Sequence, residues 1–492
     1  MINRGTWRVV QEVKVRWTWI AVVGVLAAIP IESTSANPLG AFGYGARGAA
    51  MGGAMTAAAD DYSAVFYNLA ALTVAKPGMG VGFTAAYDDA HIRLKDRPAG
   101  YDLPDLGNAS AAIPSKYRLN LRGDTNDIPN TYGVHIGAVG SLGVDRLRVG
   151  VGVFLPVDHV AVQNSHFPDE REQYFSNRLD FELLGQRVQH QVIMTGAAYR
   201  LTNWLGVGIG LSFLPKSTTQ STVYLADSTK QDQIQLGMNN TQNSHLSPNL
   251  GVLLAPTDAF QFGFAWRGEN FFELDVQNQI QIKGFQNSAG NFPILQTSRI
   301  VVNYTPHELA LGTSWHNETL LLSGDLVYAL WSRYLNQQGE QPGNWHDTLS
   351  PRLGLSWQVK EDRKLYMGLR YDPSPVPAQT GRTNYVDNDR SVVSLGAHHG
   401  LRLFDRDLEF GWALQWHHLL ARDTNKATSA SYPVCTPSSS PICDEIADDT
   451  KDASTGKAVA AYQGLQTGNP GFPGFTSYGD LLAVSVDLRW LF

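Results

Sequence analysis

From Gly78 to the C-terminus, apolar and polar positions alternate with a period of two, in segments roughly ten residues long. The final stretch is the clearest. Leu482, Val484, Val486, Leu488, Trp490 and Phe492 share one face, and Leu481, Ala483, Ser485, Asp487, Arg489 and Leu491 share the other. A period of two puts the two sets on opposite faces of a strand. Phe260, Phe262, Phe264 and Trp266 likewise oppose Gln261, Gly263, Ala265 and Arg267, and Leu408, Phe410, Trp412, Leu414 and Trp416 oppose Glu409, Gly411, Ala413, Gln415 and His417. Fourteen strands are predicted, over 78–95, 131–143, 146–158, 187–201, 203–216, 234–256, 258–273, 299–316, 318–333, 347–359, 363–372, 390–403, 407–420 and 479–492. Strands of this length, apolar outside and small or polar inside, are what a transmembrane β-barrel requires. A soluble sandwich would share the alternation, but not the pattern of connections.

Those connections alternate in length. Short polar turns fall near 144–145, 202–203, 256–258, 316–317, 360–362 and 404–406. Between them lie longer segments at 96–130, 159–186, 217–233, 274–298, 334–346, 373–389 and 421–478. Outer-membrane barrels sort their loops in this way, with the short side periplasmic. An even number of strands then returns the C-terminus to the periplasm. The terminal Phe492 is similar to the C-terminal signal by which barrel-assembly machinery recognises bacterial outer-membrane proteins.

The other end of the chain agrees. Arg4, Arg8, Lys14 and Arg16 precede an apolar run over 17–31, and Thr34-Ser35-Ala36 offers small residues for cleavage. Residues 1–36 therefore predict a secretory signal peptide. Its removal takes four basic and two acidic residues, moving the net charge from -7 to about -9. An acidic balance argues against nucleic acid as a partner. The 47 Gly, 19 Tyr and 12 Trp suit crowded inner walls and interfacial aromatic belts. The two cysteines, Cys435 and Cys443, lie close together in a Ser/Pro-rich stretch and predict a disulfide across a surface loop.

Residues 37–77 precede the first strand and carry no strand pattern. Gly43-Tyr44-Gly45-Ala46-Arg47-Gly48 is formally a GxGxxG motif, but it lacks the preceding strand and βαβ unit that dinucleotide binding needs. Its Gly and Ala content suits a compact segment packed inside another structure. This segment also carries a family resemblance. Gly45-Ala46-Arg47, Met51-Gly52-Gly53-Ala54, and Ala59 to Leu72, which includes Asn68-Leu69-Ala70, look like the hatch of the FadL-type outer-membrane transporters. Downstream, Asp347 to Trp357, Asp372 to Gln379 and Val386 to Arg390 are similar to that family's tenth strand and the loop before its twelfth. The resemblance implies a fourteen-stranded antiparallel barrel (78–492) plugged by an N-terminal hatch of short helices (37–77). It implies an outer-membrane location in a Gram-negative bacterium. The implied activity is uptake of long-chain fatty acids or other hydrophobic compounds through an apolar lumen, with lateral release to outer-membrane lipid at the third strand. A monomer without cofactor is expected. The family hatch has proline where this chain has Leu69, which softens that turn.

Candidate residues follow. In the third strand Gly150, Gly152 and Phe154 oppose Val149, Val151, Val153 and Leu155, and the strand ends at Pro156. Proline in a strand removes a ladder hydrogen bond and marks either a local opening or an ordinary strand end. Arg267, Arg352 and Arg370 fall on inward faces, with His346 a weaker candidate. A guanidinium there would either bind a fatty-acid carboxylate or pair with luminal acids and hold the plug. His398-His399 and His417-His418 are adjacent on strands, so the members of each pair face opposite sides and cannot chelate one metal. No GxSxG elbow is present, so an outer-membrane lipase fits less well than a channel. An aromatic-hydrocarbon transporter of the same fold, or a general porin or surface-binding barrel, would share the strand pattern.

Overall fold

The computed structural model describes residues 38–492 apart from 96–123, 126–129, 158–179, 182, 184–191, 224–233, 283–293, 337–338, 381–382, 384, 404–405 and 427–472. The predicted signal peptide, the predicted Cys435–Cys443 disulfide and most of the longest loops lie outside the described residues. The barrel strands are β1 (Gly78–Leu94), β2 (Thr131–Gly140), β3 (Leu147–Pro156), β4 (Val192–Arg200), β5 (Leu205–Leu214), β6 (His245–Leu254) and β7 (Phe260–Arg267). They continue as β8 (Glu308–His316), β9 (Leu320–Ala329), β10 (Thr348–Lys360), β11 (Arg363–Asp372), β12 (Arg390–Leu403), β13 (Arg406–Asn425) and β14 (Gly474–Leu491). Each pairs antiparallel with its neighbours, and β1 pairs with both β2 and β14, which closes the sheet. Closure leaves no unpaired barrel edge, the condition for crossing lipid with strands.

The alternation sorts as the sequence requires. Ile209, Phe262, Leu311, Leu353 and Met367 point outward and are exposed, while Gly208, Gly263, Gly312, Gly354 and Gly368 point inward. Outward aromatics gather near the two rims. Trp204, Phe260, Trp357 and Phe492 mark the short-turn end, and Tyr87, Tyr328, Tyr371 and Trp416 mark the long-loop end. Such belts fit the two membrane interfaces.

Three predicted strands differ from the observed ones. The 234–256, 258–273 and 299–316 segments each break, at 243–244, 268–269 and 306–307. Their outer parts leave the barrel and join Ser217–Val223 in a separate sheet, ordered 294–305, 270–282, 234–242 and 217–223. Pro306 supplies no N–H to a ladder and Gly268 no side chain, so both are natural places for the chain to change sheets. Alternation continued past these points, which concealed the breaks.

Inside the barrel lie α1 (Pro38–Phe42), α2 (Ala46–Ala50), α3 (Ala64–Tyr67) and a 3-10 turn over Leu69–Thr73. They are too short to hold a core of their own. Tyr44, Ala50, Met51, Met55, Leu69 and Leu72 are instead buried against the wall. The wall makes room by omitting side chains. A methyl group at Gly208 would stand 2.5 Å from the Leu69 carbonyl carbon, and one at Gly263 or Gly312 would collide with Thr56. Gly43 and Gly45 take φ of 85° and 81°, a region that glycine enters without strain. The GxGxxG is thus a packing device: the Tyr67 ring also fills the place of a Gly48 side chain.

Candidate functional site

Helices this short leave most of their terminal N–H and C=O groups unpaired. Barrel side chains satisfy them. Asp487 on β14 accepts the Ala46 N–H (3.0 Å) at the start of α2 and the Tyr62 hydroxyl (3.2 Å). Gln415 donates to Ala49 O (2.8 Å) and Ser394 to Ala50 O (3.0 Å) at the end of the same helix. Asp325 accepts the Thr56 N–H (2.8 Å), and Ser314 donates to Ala57 O (3.0 Å). Arg370 donates to Gly40 O (3.2 Å) and Ala41 O (2.7 Å), and Arg267 to Phe66 O (3.2 Å). At the short-turn end Arg489 pairs with Asp61 and Glu409, and Arg47 with Asp60.

Above the hatch, toward the long loops, two cavities meet. The larger, about 130 Å³, is bordered by Gly40 and Ala41 of the hatch, Trp331, Ser350, Arg352 and Asn388. The smaller, about 50 Å³, is bordered by Val65 and Phe66 of α3, Val192, Met194, Asn249 and Arg267. Both are walled by Thr305, Pro306 and Glu308. Both linings are mixed; the larger cavity, with Arg352, Asp372 and Arg390, is the more polar end and the smaller the more apolar. An aromatic cluster of Tyr304, Trp331, Tyr334 and Trp345 flanks the polar end, with Tyr334 and Trp345 stacked at 3.7 Å.

The predicted arginines separate here. Arg267 pairs with Glu308 and stands 4.9 Å over the Phe66 ring. Arg370 pairs with Asp372 (2.8 Å), which also binds Arg390 (2.8 Å). Both therefore hold the hatch and neutralise acids. Arg352 differs. It is 9 % exposed, borders the larger cavity, and makes no hydrogen bond or ion pair among the described residues. Asp325 lies directly across from it on β9 but is turned to the hatch. His346 is exposed and borders neither cavity; its backbone N–H donates to Pro375 O (3.3 Å), and its side chain lies near Asp347.

The gate residues are also placed. The β2–β3 and β3–β4 ladders are continuous, with no register shift, and Val157 N–H carries the first one on to Tyr132 O. Pro156 pairs opposite Gly133 as an ordinary strand end. As far as Phe154 the third strand is regularly paired on both sides, and the part of the chain that would face Leu155 and Pro156 on the β4 side lies outside the described residues. Register shifts occur instead between β10 and β11 at Gln358/Lys360 and between β13 and β14 at Leu419/Arg422. Gly150 faces Leu72, and Gly152 faces Tyr44 and Val65, so this strand is where the hatch leans on the wall. Asn68 donates to Thr56 O (2.8 Å) and Val252 O (3.1 Å) and accepts Ala70 N–H (3.0 Å). Leu69 is the first residue of the 3-10 turn, where an N–H has no partner within the turn, so proline and leucine are both compatible. His398 and His417 are buried, and His399 and His418 face the other way.

A closed barrel with an apolar outer belt, an internal plug and an amphipathic chamber above it defines a plugged membrane-spanning channel. Over residues 27–439 the chain matches the family described as "Outer membrane protein transport protein (OMPP1/FadL/TodX)", and it belongs to that family. A Pseudomonas aeruginosa FadL homologue has the same fold, at a TM-score of 0.57 and 14 % identity, covering 94 % of this chain and 98 % of that one. Two curated relatives share shorter stretches. The Alkane uptake protein A of Marinobacter nauticus is 26 % identical over 137 residues, 25 % of this chain and 30 % of the relative. The Long-chain fatty acid transport protein of Salmonella typhi is 23 % identical over 215 residues, 36 % of this chain and 49 % of the relative. The chain thus spans at most about half the length of these relatives in the matched regions.

Proposed function

We propose that this protein takes up hydrophobic compounds across the outer membrane, and that its ligands are long-chain fatty acids. The observation carrying the substrate class is Arg352. A buried cation that makes no hydrogen bond is costly even with Asp325 and Asp372 near enough to offset part of its charge, and a neutral hydrocarbon gives it nothing. A carboxylate accepts two parallel hydrogen bonds from a guanidinium. The head group would sit at Arg352, and the chain would lie along the larger cavity. One of the two curated relatives is a long-chain fatty acid transport protein by name, which supports this reading. Alkane uptake is the second reading, favoured by the other relative's name and by the aromatic cluster beside the chamber.

A cavity of about 130 Å³ falls short of the roughly 300 Å³ or more of an ordinary ligand pocket, so the hatch or loops must shift to admit a whole chain. Release straight into the periplasm would expose about 0.8 kcal/mol per CH₂ to water, on the order of 12 kcal/mol for a sixteen-carbon chain. Lateral release into lipid at β3 avoids this. Its side chains belong to the hatch contact, so opening there follows hatch movement. Arg352→Gln is expected to weaken oleate binding about tenfold or more and to leave hexadecane binding unchanged, measured on the purified protein in detergent. Equal loss for both ligands would remove the carboxylate role. Uptake of labelled oleate or hexadecane by cells bearing and lacking the protein separates the two readings directly.

A further inference from the structure

Among the described residues, two side chains bordering the larger cavity keep a buried polar atom without a partner. Arg352 is one, and Asn388, 3 % exposed, is the other. The position of Asn388 follows from the irregularity between β13 and β14. There Leu420 and Ala421 on one strand stand against Tyr478 on the other, and the ladder resumes at Arg422 and Ser477. The amide nitrogen of Asn388 spans the interruption, donating to Leu420 O (2.7 Å) and Ser477 O (2.9 Å). Those bonds fix the amide orientation, because only an NH₂ can donate to two carbonyls. The surrounding loop is locked as well. Arg422 donates to Ser374 Oγ (3.2 Å), Asp387 O (3.1 Å) and Val376 O (2.8 Å), and Leu420 N–H to Asp389 O (2.9 Å). The Asn388 side chain therefore cannot turn over without breaking the wall. Its Oδ1 is left buried with no hydrogen-bond partner.

A buried acceptor left unpaired is costly, and a ligand that donates to it recovers that cost. We propose that Asn388 is a specificity-determining residue whose Oδ1 accepts a hydrogen bond from a hydroxyl on the ligand, so that the preferred substrates are hydroxylated long-chain fatty acids. This rests on the fatty-acid reading above, with Arg352 holding the carboxylate. Arg352 lies on β10, and Asn388 lies just ahead of β12. These strands are two strand spacings apart, about 10 Å. The hydroxyl therefore belongs well down the chain and not beside the carboxylate.

The test varies the ligand on the unmodified mature protein in detergent, so folding is not at stake. Dissociation constants are measured for stearate and for stearate carrying a hydroxyl at carbon 2, 10 or 12. At least one of the two mid-chain isomers is expected to bind about tenfold tighter than stearate, with the 2-hydroxy acid no tighter. Mid-chain isomers that bind no better than stearate overturn the proposal while leaving the fatty-acid reading standing. Failure of every acid to bind, stearate included, overturns both. Asn388→Ala is expected to bring the mid-chain isomer to within about threefold of stearate; a retained preference would place the hydroxyl's partner elsewhere.

Discussion

At the residue scale, the lumen assigns different tasks to chemically identical side chains. Arg267, Arg352 and Arg370 occupy equivalent inward positions, yet two of them end on hatch carbonyls and luminal acids. Sequence pattern established that all three point inward. It could not separate them, because Glu308 and the α1 carbonyls come from distant parts of the chain, and Asp372, two residues from Arg370, is shared with Arg390. Asn388 was harder still to find, since its role depends on a strand irregularity that alternation does not encode. Asp487 is the most heavily shared of the inward acids. Replacing it with alanine strands the Ala46 N–H, the Tyr62 hydroxyl and His398, each loss costing about 1–3 kcal/mol. Asp487→Ala is therefore expected to open the hatch to trypsin at Arg47, while the barrel still runs as a folded species on unheated gels. Protection equal to that of the parent would mean that Asp487 does not hold the plug.

At the element scale, the strand count, the loop alternation and the outward faces were all legible, because lipid on one side imposes a strict period of two. The extramembrane sheet was not, since its strands continue the same alternation after leaving the wall. The third strand shows the limit differently. Pro156 marked it for either an opening or an ordinary strand end; its ladder to β2 is regular, and its β4 side lies outside the described residues. What distinguishes β3 is the hatch leaning on its glycines. Gly152→Leu would drive a side chain into Tyr44 and Val65, where even a methyl group would come within 2.7 Å of each. Gly150→Val meets only the flexible end of Leu72, at 2.8 Å. Uptake of labelled oleate should therefore fall strongly for Gly152→Leu and mildly for Gly150→Val, with surface expression unchanged. Normal uptake by both variants would rule out β3 as the route of release.

At the scale of the whole molecule, the wall and the plug are complementary surfaces of one object. Deleting residues 40–75 should leave an assembled barrel whose single-channel conductance in planar bilayers far exceeds the parent's; equal conductance would show that the segment does not block ion flow. The same complementarity has a consequence in time. The Ala46 N–H finds its acceptor 441 residues later, on β14. That strand is also the one that zips to β1 to complete the cylinder. The hatch, tethered to β1 through Lys76 and Pro77, therefore lacks its Asp487 acceptor until β14 is in place. Sealing the cylinder thus also completes the seating of its stopper.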